Sequence, residues 1–217
     1  MAEAIDYKHI GSRPVRPDGV DKVTGRAEFG GDVSLPGMII GKILRSPHAH
    51  ARIKSIDITD ALAIPGVHAV ITGEDFPGGG ISGEIDGEGG GSISDQAKNV
   101  IARDKVLYHG HALAAVAAIS DRAADRALDA IKVEYEVLSP VLDILEAIDP
   151  DSVLVNENNY TKLPEKPDRP SNIANVGNLV RGDIQEGFER ADVVIEREYV
   201  CPMTHQGYIE PHSCLAS

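Results

Sequence analysis

The stretch ALAAVAAISDRAADRALDAIKVEYEV, residues 112–137, decides the fold class of this chain. It opens with residues 112–119, an apolar run typical of a buried strand. Apolar residues then recur at the spacing of a helix with one apolar face: Ala124, Ala127, Leu128 and Ile131. The last apolar residues alternate as in a strand: Val133, Tyr135 and Val137. This order predicts a mixed α/β domain, with a right-handed crossover if the two strands are parallel.

Shorter runs upstream predict further strands of the same domain. Runs rich in β-branched and apolar side chains lie at residues 38–44, 51–58 and 67–71. Thr59 is placed to cap a short helix, which Pro65 and Gly66 would end. The opening segment, residues 13–25, has turn chemistry but no sustained period, so we expect an ordered, extended arm there.

Residues 151–171 are predicted to separate two domains. Three prolines stand there among charged and polar residues, a composition that favours extended, semi-rigid chain: Pro164, Pro167 and Pro170. We therefore expect a first domain at residues 1–150 with an N-terminal arm, a linker at 151–171, and a second domain that begins at residue 172.

The second domain is predicted to be incomplete within residues 172–217. Asp183 followed by Glu186 predicts the start of a short helix, and residues 193–200 are predicted to form a strand. Roughly 45 residues bury too little surface to form a core of their own. We expect another chain or further sequence to complete this domain.

The composition is that of an acidic, soluble, globular protein. Lys and Arg number 21 against 34 Asp and Glu, which gives a net charge of -13 and argues against nucleic acid as a partner. The longest apolar stretch is far below the roughly 18 residues of a membrane-spanning helix, and the N-terminus has no signal-peptide pattern. We expect a cytoplasmic protein whose two cysteines stay reduced.

Residues 78–92 form a segment with eight glycines. Its start matches the GxGxxG pattern of dinucleotide-binding loops, but no predicted strand precedes it. Three acidic residues in it would repel a phosphate: Glu84, Asp86 and Glu88. We interpret this segment as a mobile surface loop.

Residues 201–214 concentrate side chains that bind zinc or iron: Cys201, His205, His212 and Cys214. Their spacing matches no common zinc motif, so buried structural side chains are the favoured interpretation. An independent metalloprotein built on these four residues is a weaker alternative.

Two His-x-His pairs also suggest a metal, His48 with His50 and His109 with His111. Each pair would lie on one face of a strand, and together they could form a four-histidine site. Hydrogen bonds from the rings to backbone groups are the simpler interpretation. We predict no protein-ligated metal in this chain.

Three sets of residues, in chain order, carry a resemblance to one family. They are residues 16–29 with 35–38, residues 45–53 with 64–67 and 72–75, and residues 182–183 with 191–194 and 205–211. They resemble the molybdenum-binding subunits of the xanthine dehydrogenase, aldehyde oxidase and carbon monoxide dehydrogenase group of molybdenum hydroxylases. The resemblance implies an α/β hammerhead domain followed by the incomplete start of a molybdopterin-binding domain.

The resemblance also implies an activity and partners. In this family a molybdenum ion held by a pterin dithiolene oxidises a carbon centre, in an aldehyde, N-heterocycle, aromatic thioester or carbon monoxide, with water-derived oxygen. Electrons then leave through 2Fe-2S clusters to FAD. We therefore expect a hetero-oligomer with an iron-sulfur subunit, an FAD subunit and the remaining molybdenum-subunit chain.

Two family segments are missing from these 217 residues, the glycine-rich pterin loop and the late catalytic Gly-x-Gly-Glu segment. We therefore expect no catalytic residue in this chain and no activity from it alone. Gly110-His111-Ala112 also stands where the family often has Gly-Glu-Pro or Gly-Gln-Pro. Because of this difference, we do not expect this chain to make the contacts that the corresponding loop makes in other family members.

Four residues near the end of the chain are implied to lie near the cofactor. Gln206 matches a family glutamine whose side chain lies near the molybdenum oxo group, so we expect it to bind the cofactor. Glu210 matches a glutamate with a structural, hydrogen-bonding role. His205 and Tyr208 are candidates for lining the substrate channel. The alternative function is a free-standing, non-catalytic hammerhead module for binding or assembly.

Overall fold

The chain divides into two compact units in the computed structural model, which describes residues 8–76, 99–163, 165 and 167–217. The larger unit is Met38–Ala191, and the smaller combines Met1–Gly37 with Asp192–Ser217. The glycine-rich segment, residues 78–92, lies outside the described residues. The predicted limits at residues 150 and 172 stay predictions.

Two three-stranded sheets form the frame of the larger unit. Their strands are β1 (Ile40–Arg45), β2 (Ala51–Asp57), β3 (Val67–Thr72), β4 (Lys105–Val106), β5 (Ala112–Ala118) and β6 (Lys132–Val137). One sheet has the order β1-β5-β3 and the other β4-β2-β6. All four strand pairings are antiparallel.

The strand-helix-strand stretch therefore connects two sheets and makes no parallel crossover. β5 is the central strand of its sheet, and both of its edges are already paired with β1 and β3. Because no edge of β5 is left, β6 pairs with β2 in the other sheet. The prediction of a mixed α/β domain is confirmed, and the conditional crossover does not occur.

Five helices accompany the sheets in the described residues: α1 (Gly19–Thr24), α2 (Thr59–Leu62), α3 (Asp121–Ala130), α4 (Ile144–Ile148) and α5 (Ile184–Glu189). α1 corrects the prediction of an extended arm, because Gly25 takes a φ of 72° and closes this helical turn. The predicted cap of α2 is also wrong. The N-cap is Ile58, and the Thr59 N–H donates to Asp57 Oδ1 at 2.9 Å.

Small side chains let α3 pack closely on the sheet of β5. Its buried residues are Ala123, Ala124 and Ala127, and they cluster with three buried β5 residues, Ala114, Val116 and Ala118. Ser120 begins the helix, because its Oγ accepts the Ala123 N–H at 3.3 Å. Leu113, which precedes Ala114 in β5, belongs to a second cluster with Ala51, Ala102 and Val106. β5 is thus buried on both faces.

The predicted strand at residues 193–200 is absent, whereas the predicted helix before it is confirmed. Asp183 Oδ1 accepts the Glu186 N–H at 3.0 Å and begins α5. Residues 193–200 pair with no neighbouring strand in the described parts of the chain, and Val193, Ile195 and Val200 are 75%, 74% and 83% exposed. A strand needs a neighbour for its backbone groups, and none of the described strands lies beside this segment.

A tight turn after β3 brings two backbone segments into contact. The Thr72 N–H donates to Asp75 Oδ2 at 2.7 Å, and the Glu74 N–H donates to Thr72 Oγ1 at 3.3 Å. The Arg103 guanidinium donates to the Gly73 and Phe76 carbonyls at 3.0 and 2.6 Å. A Cβ on Gly73 would lie 2.7 Å from Arg103 Cα. Only glycine therefore permits this approach.

We expect Gly73→Ala to lower the free energy of unfolding by about 1–3 kcal/mol, because the added methyl group must displace backbone atoms. Gly41→Ala is the matched control, since a Cβ at this β1 position meets nothing within 4 Å. Its effect should stay within about 0.5 kcal/mol. Urea denaturation measures both, and equal midpoints for the two variants would contradict the contact.

Candidate functional site

Both His-x-His pairs lie at one end of the two sheets, where two turns are bound together. The Ser46 N–H donates to the His111 carbonyl and the Gly110 N–H to the Ser46 carbonyl, each at 2.9 Å. Arg45 adds a bond to the Gly110 carbonyl at 2.9 Å. The sequence therefore brings the two predicted pairs near each other.

His50 is 2% exposed and its ring is fixed by one backbone group. Its Nδ1 lies 2.7 Å from the Ser139 carbonyl, which can only accept, so Nδ1 carries the proton. Nε2 is buried and has no hydrogen-bond partner in the described structure. The neighbouring His48 ring meets Tyr135 edge-on at 4.8 Å.

His111 is fully buried and uses both ring nitrogens. Nε2 donates to the Asn99 carbonyl at 2.6 Å, and Nδ1 accepts the Leu107 N–H at 3.3 Å. The Tyr108 ring stacks on it at 4.4 Å. Burial lowers the pKa of His111 below its usual 6.5, although the bond to the Asn99 carbonyl acts to raise it.

These contacts confirm the hydrogen-bonding interpretation for His50 and His111. A metal ion binds to a free lone pair on a ring nitrogen. Of the four ring nitrogens of His50 and His111, two carry a proton and a third accepts the Leu107 N–H. Across the residues that the structure describes, no group of three or more His, Cys, Asp or Glu side chains is placed to hold a metal ion.

We expect His111 to make the unfolding free energy fall as the pH drops below 6.5. The unfolded chain then binds a proton on this ring that the folded chain resists, so protonation favours unfolding. His111→Gln should therefore cost less stability near pH 5 than near pH 7.5. Denaturation at several pH values measures this difference.

His68→Gln is the control, because His68 is exposed on β3. This variant removes an imidazole from an exposed strand position and so controls for the histidine-to-glutamine substitution itself. A His111→Gln effect that does not change with pH would contradict a buried neutral ring.

Gln206 lies in an exposed turn of the smaller unit. The Gly207 N–H donates to His205 Nδ1 at 2.9 Å, and Gly207 has a φ of 71°. The Tyr208 ring meets the rings of His205 and His212 edge-on, at 5.9 and 5.4 Å. The Gln206 side chain makes no hydrogen bond within the described parts of the chain and faces solvent. Its amide is free to bind a ligand.

Glu210 connects this segment to the N-terminal part of the same unit. Its Oε1 accepts the Gly30 N–H at 3.4 Å, a long hydrogen bond. The two parts enclose an open cavity of about 650 Å³, whose walls include Lys22, Phe29 and Ile209. This contact is compatible with the structural role predicted for Glu210, and the roles of all four residues stay predictions.

The two cysteines are not buried. Cys201 and Cys214 are free thiols and both are exposed. His205 and His212 are exposed as well, so the expectation of buried structural cysteines and histidines at residues 201–214 is wrong, because this segment packs against too little of the described structure to cover them.

An ion-pair cluster that the sequence did not reveal holds residues 154–157 to the sheets. Lys105 is only 10% exposed at its side chain and bonds Glu157 Oε1 at 2.8 Å and the Leu154 carbonyl at 3.3 Å. Arg52 lies 3.7 Å from the same carboxylate. Lys105 lies 49 and 52 residues from its two partners, and Arg52 lies still further from Glu157, so no local pattern indicates this cluster.

Among the helices of the described residues, none is long and apolar enough to cross a membrane.

The larger unit combines two antiparallel three-stranded sheets with α3, which packs on the β1-β5-β3 sheet. The family described as aldehyde oxidase and xanthine dehydrogenase, a/b hammerhead domain, matches residues 24–139, more than half of the chain. The molybdopterin cofactor-binding domain matches residues 165–217. The chain therefore belongs to the aldehyde oxidase and xanthine dehydrogenase family of molybdenum hydroxylases.

Individual relatives agree with this assignment. A probable xanthine dehydrogenase component of Bacillus subtilis (strain 168) is 36% identical over 202 residues, covering 93% of this chain and 24% of that protein. The nicotinate dehydrogenase large molybdopterin subunit of Eubacterium barkeri is 34% identical over 206 residues, covering 95% of this chain and 44% of that protein. This chain thus spans less than half the length of these curated relatives.

A solved structure shares the fold. The crystal structure of quinoline 2-oxidoreductase from Pseudomonas putida 86 superposes with a TM-score of 0.55 at 34% identity, covering 69% of this chain and 19% of that one. The predicted fold class, a hammerhead domain followed by the start of a molybdopterin-binding domain, is confirmed.

Proposed function

We propose that this chain is a subunit or N-terminal segment of a molybdenum hydroxylase that oxidises a carbon centre with water-derived oxygen. Residues 1–150 serve as the hammerhead domain, and residues 172–217 begin the molybdopterin-binding region. The remaining molybdenum-subunit chain carries the catalytic base, and this chain alone is inactive. Electrons pass to 2Fe-2S clusters and FAD on partner subunits of a cytoplasmic hetero-oligomer.

The exposed apolar side chains of residues 192–217 are the observation that carries this proposal. Met203 is 96% exposed and Ile209 is fully exposed. Apolar surface of this extent marks a site where other polypeptide packs. The same segment matches the molybdopterin cofactor-binding family. Further residues of such a domain would bury these side chains.

The residues of the exposed turn fit the molybdenum cofactor. The free amide of Gln206 can donate to an oxo or pterin oxygen without adding charge. When bound, the cofactor supplies the two-electron oxidation of the carbon centre. Gln206 would hold it, His205 and Tyr208 would line the approach of the substrate, and Glu210 would fix the turn through Gly30.

The substrate is proposed to be an aldehyde, an N-heterocycle, an aromatic thioester or carbon monoxide. The names of relatives favour testing N-heterocycles first, since xanthine, nicotinate and quinoline are all N-heterocycles.

Purification from the source organism tests the proposal, with mass spectrometry of the co-purifying chains and elemental analysis. A co-purifying chain with the glycine-rich pterin loop, together with molybdenum and iron, is the expected result. A metal-free monomer with an ordered C-terminal segment would contradict it and would favour the non-catalytic hammerhead module.

In the molybdenum-loaded complex, Gln206→Ala should lower kcat/KM by at least about tenfold, because a donor to the reacting centre is lost. Steady-state kinetics per bound molybdenum measures the effect. Gln185→Ala is the control, because Gln185 lies on α5 and donates only to Glu189 Oε1, at 3.1 Å. Equal rates for both variants would contradict a cofactor contact by Gln206.

Glu210→Gln separates a structural role from a catalytic one. The glutamine oxygen can still accept the Gly30 N–H, so we expect activity within about threefold of the parent complex. Loss of a general base typically lowers the rate by about a hundredfold or more. A loss of that size, with molybdenum content unchanged, would make Glu210 a catalytic residue.

A further inference from the structure

A second cavity lies in the larger unit, where the chain folds back on itself after β6. Its volume is about 310 Å³, and it is lined by residues 147–150, 152, 154 and 169–173. Cavities that bind organic ligands begin at about 300 Å³. The cavity is therefore large enough for a small molecule.

Side-chain amides hold the two walls of this cavity together. Asn172 Nδ2 donates to the Val153 carbonyl, and Asn172 Oδ1 accepts the Val155 N–H, both at 2.9 Å. Asn159 Nδ2 donates to the Ser171 carbonyl at 2.7 Å. Because these side-chain amides bond to backbone groups of the opposite segment, the walls are held in place without a ligand.

Two polar groups of the lining lack partners. The Ser152 hydroxyl is buried and makes no hydrogen bond within the described structure, an arrangement that costs stability. The Arg169 residue is exposed, and its guanidinium has no ion pair or hydrogen bond among the described residues. An arginine and a hydroxyl together are suited to a carboxylate, which can accept from both.

The rest of the lining selects among anions. Most of the lining is apolar and would contact the body of a ligand: Ala147, Ile148, Pro150, Leu154, Pro170 and Ile173. The Asp149 carboxylate also lines the cavity and would repel a dianion such as phosphate more strongly than a monoanion. The lining thus favours a singly charged ligand with an apolar body.

We propose that this cavity binds a small organic monocarboxylate. The ligand carboxylate forms an ion pair with Arg169 and accepts a hydrogen bond from the Ser152 hydroxyl. The apolar body of the ligand lies against Ile148 and Leu154. Binding requires neither molybdenum nor a partner chain, so it is independent of the proposed oxidation chemistry.

Benzoate is the probe, titrated into the 15N-labelled 217-residue chain and followed by NMR. We expect saturable shifts confined to the amides of residues 147–154 and 169–173. Benzamide has the same shape without the charge, and inorganic phosphate has charge without the apolar body, so both should bind at least about tenfold more weakly. No saturable shifts with benzoate, or equal binding of benzamide, would overturn the proposal.

Variants locate the carboxylate contact. Arg169→Gln should weaken benzoate binding by at least about tenfold, and Arg122→Gln, an exposed arginine on α3, should not change it. Ser152→Ala should weaken binding without lowering the urea midpoint, because the buried hydroxyl has no protein partner to lose. Equal affinities for Arg169→Gln and Arg122→Gln would overturn the proposal even if both chains fold normally.

Discussion

The close approach of α3 to β5 is the constraint on which the larger unit depends. Methyl groups fill the interface from both sides, at Ala123, Ala124 and Ala127 on the helix and at Ala114 and Ala118 on the strand. Side chains this small reach interior packing density only when the two backbones lie close together. A large ring at one of these positions would force the helix away from the sheet.

The position of β5 also determines the surroundings of the turn that contains His109 and His111. Because β5 is buried on both faces and paired along both edges, the turn before it is enclosed, and His111 is fully buried there. Both nitrogens of the buried His111 ring have partners, the carbonyl of Asn99 and the N–H of Leu107. The histidine pattern that resembles a metal site is thus a consequence of packing at a strand end.

Local patterns predicted the elements well. The period of Ala124, Ala127, Leu128 and Ile131 identified α3, and the Asp183–Glu186 spacing identified α5, because both signals lie within a few residues. The pairing of β6 with β2 and the bond between Lys105 and Glu157 depend on contacts between distant residues, which no local pattern contains.

The site was harder to predict than the fold. The resemblance identified residues 205–211, and the structure places the Gln206 amide in an exposed turn. The predicted strand at residues 193–200 failed because alternating apolar residues specify a strand only when a neighbouring strand takes up their backbone groups. Residues 201–214 contain side chains that can bind metals, but the described residues include no group of three or more His, Cys, Asp or Glu side chains placed to hold a metal ion.

Residues 192–217 should become buried only by packing against further molybdenum-subunit polypeptide. Hydrogen-deuterium exchange of this chain, alone and in its native complex, tests it most directly. The amides of α3 and β5 should be protected in both states, and those of residues 192–217 should exchange quickly alone and slowly in the complex. Protection of residues 192–217 in the isolated chain, or fast exchange in the complex, would contradict the account.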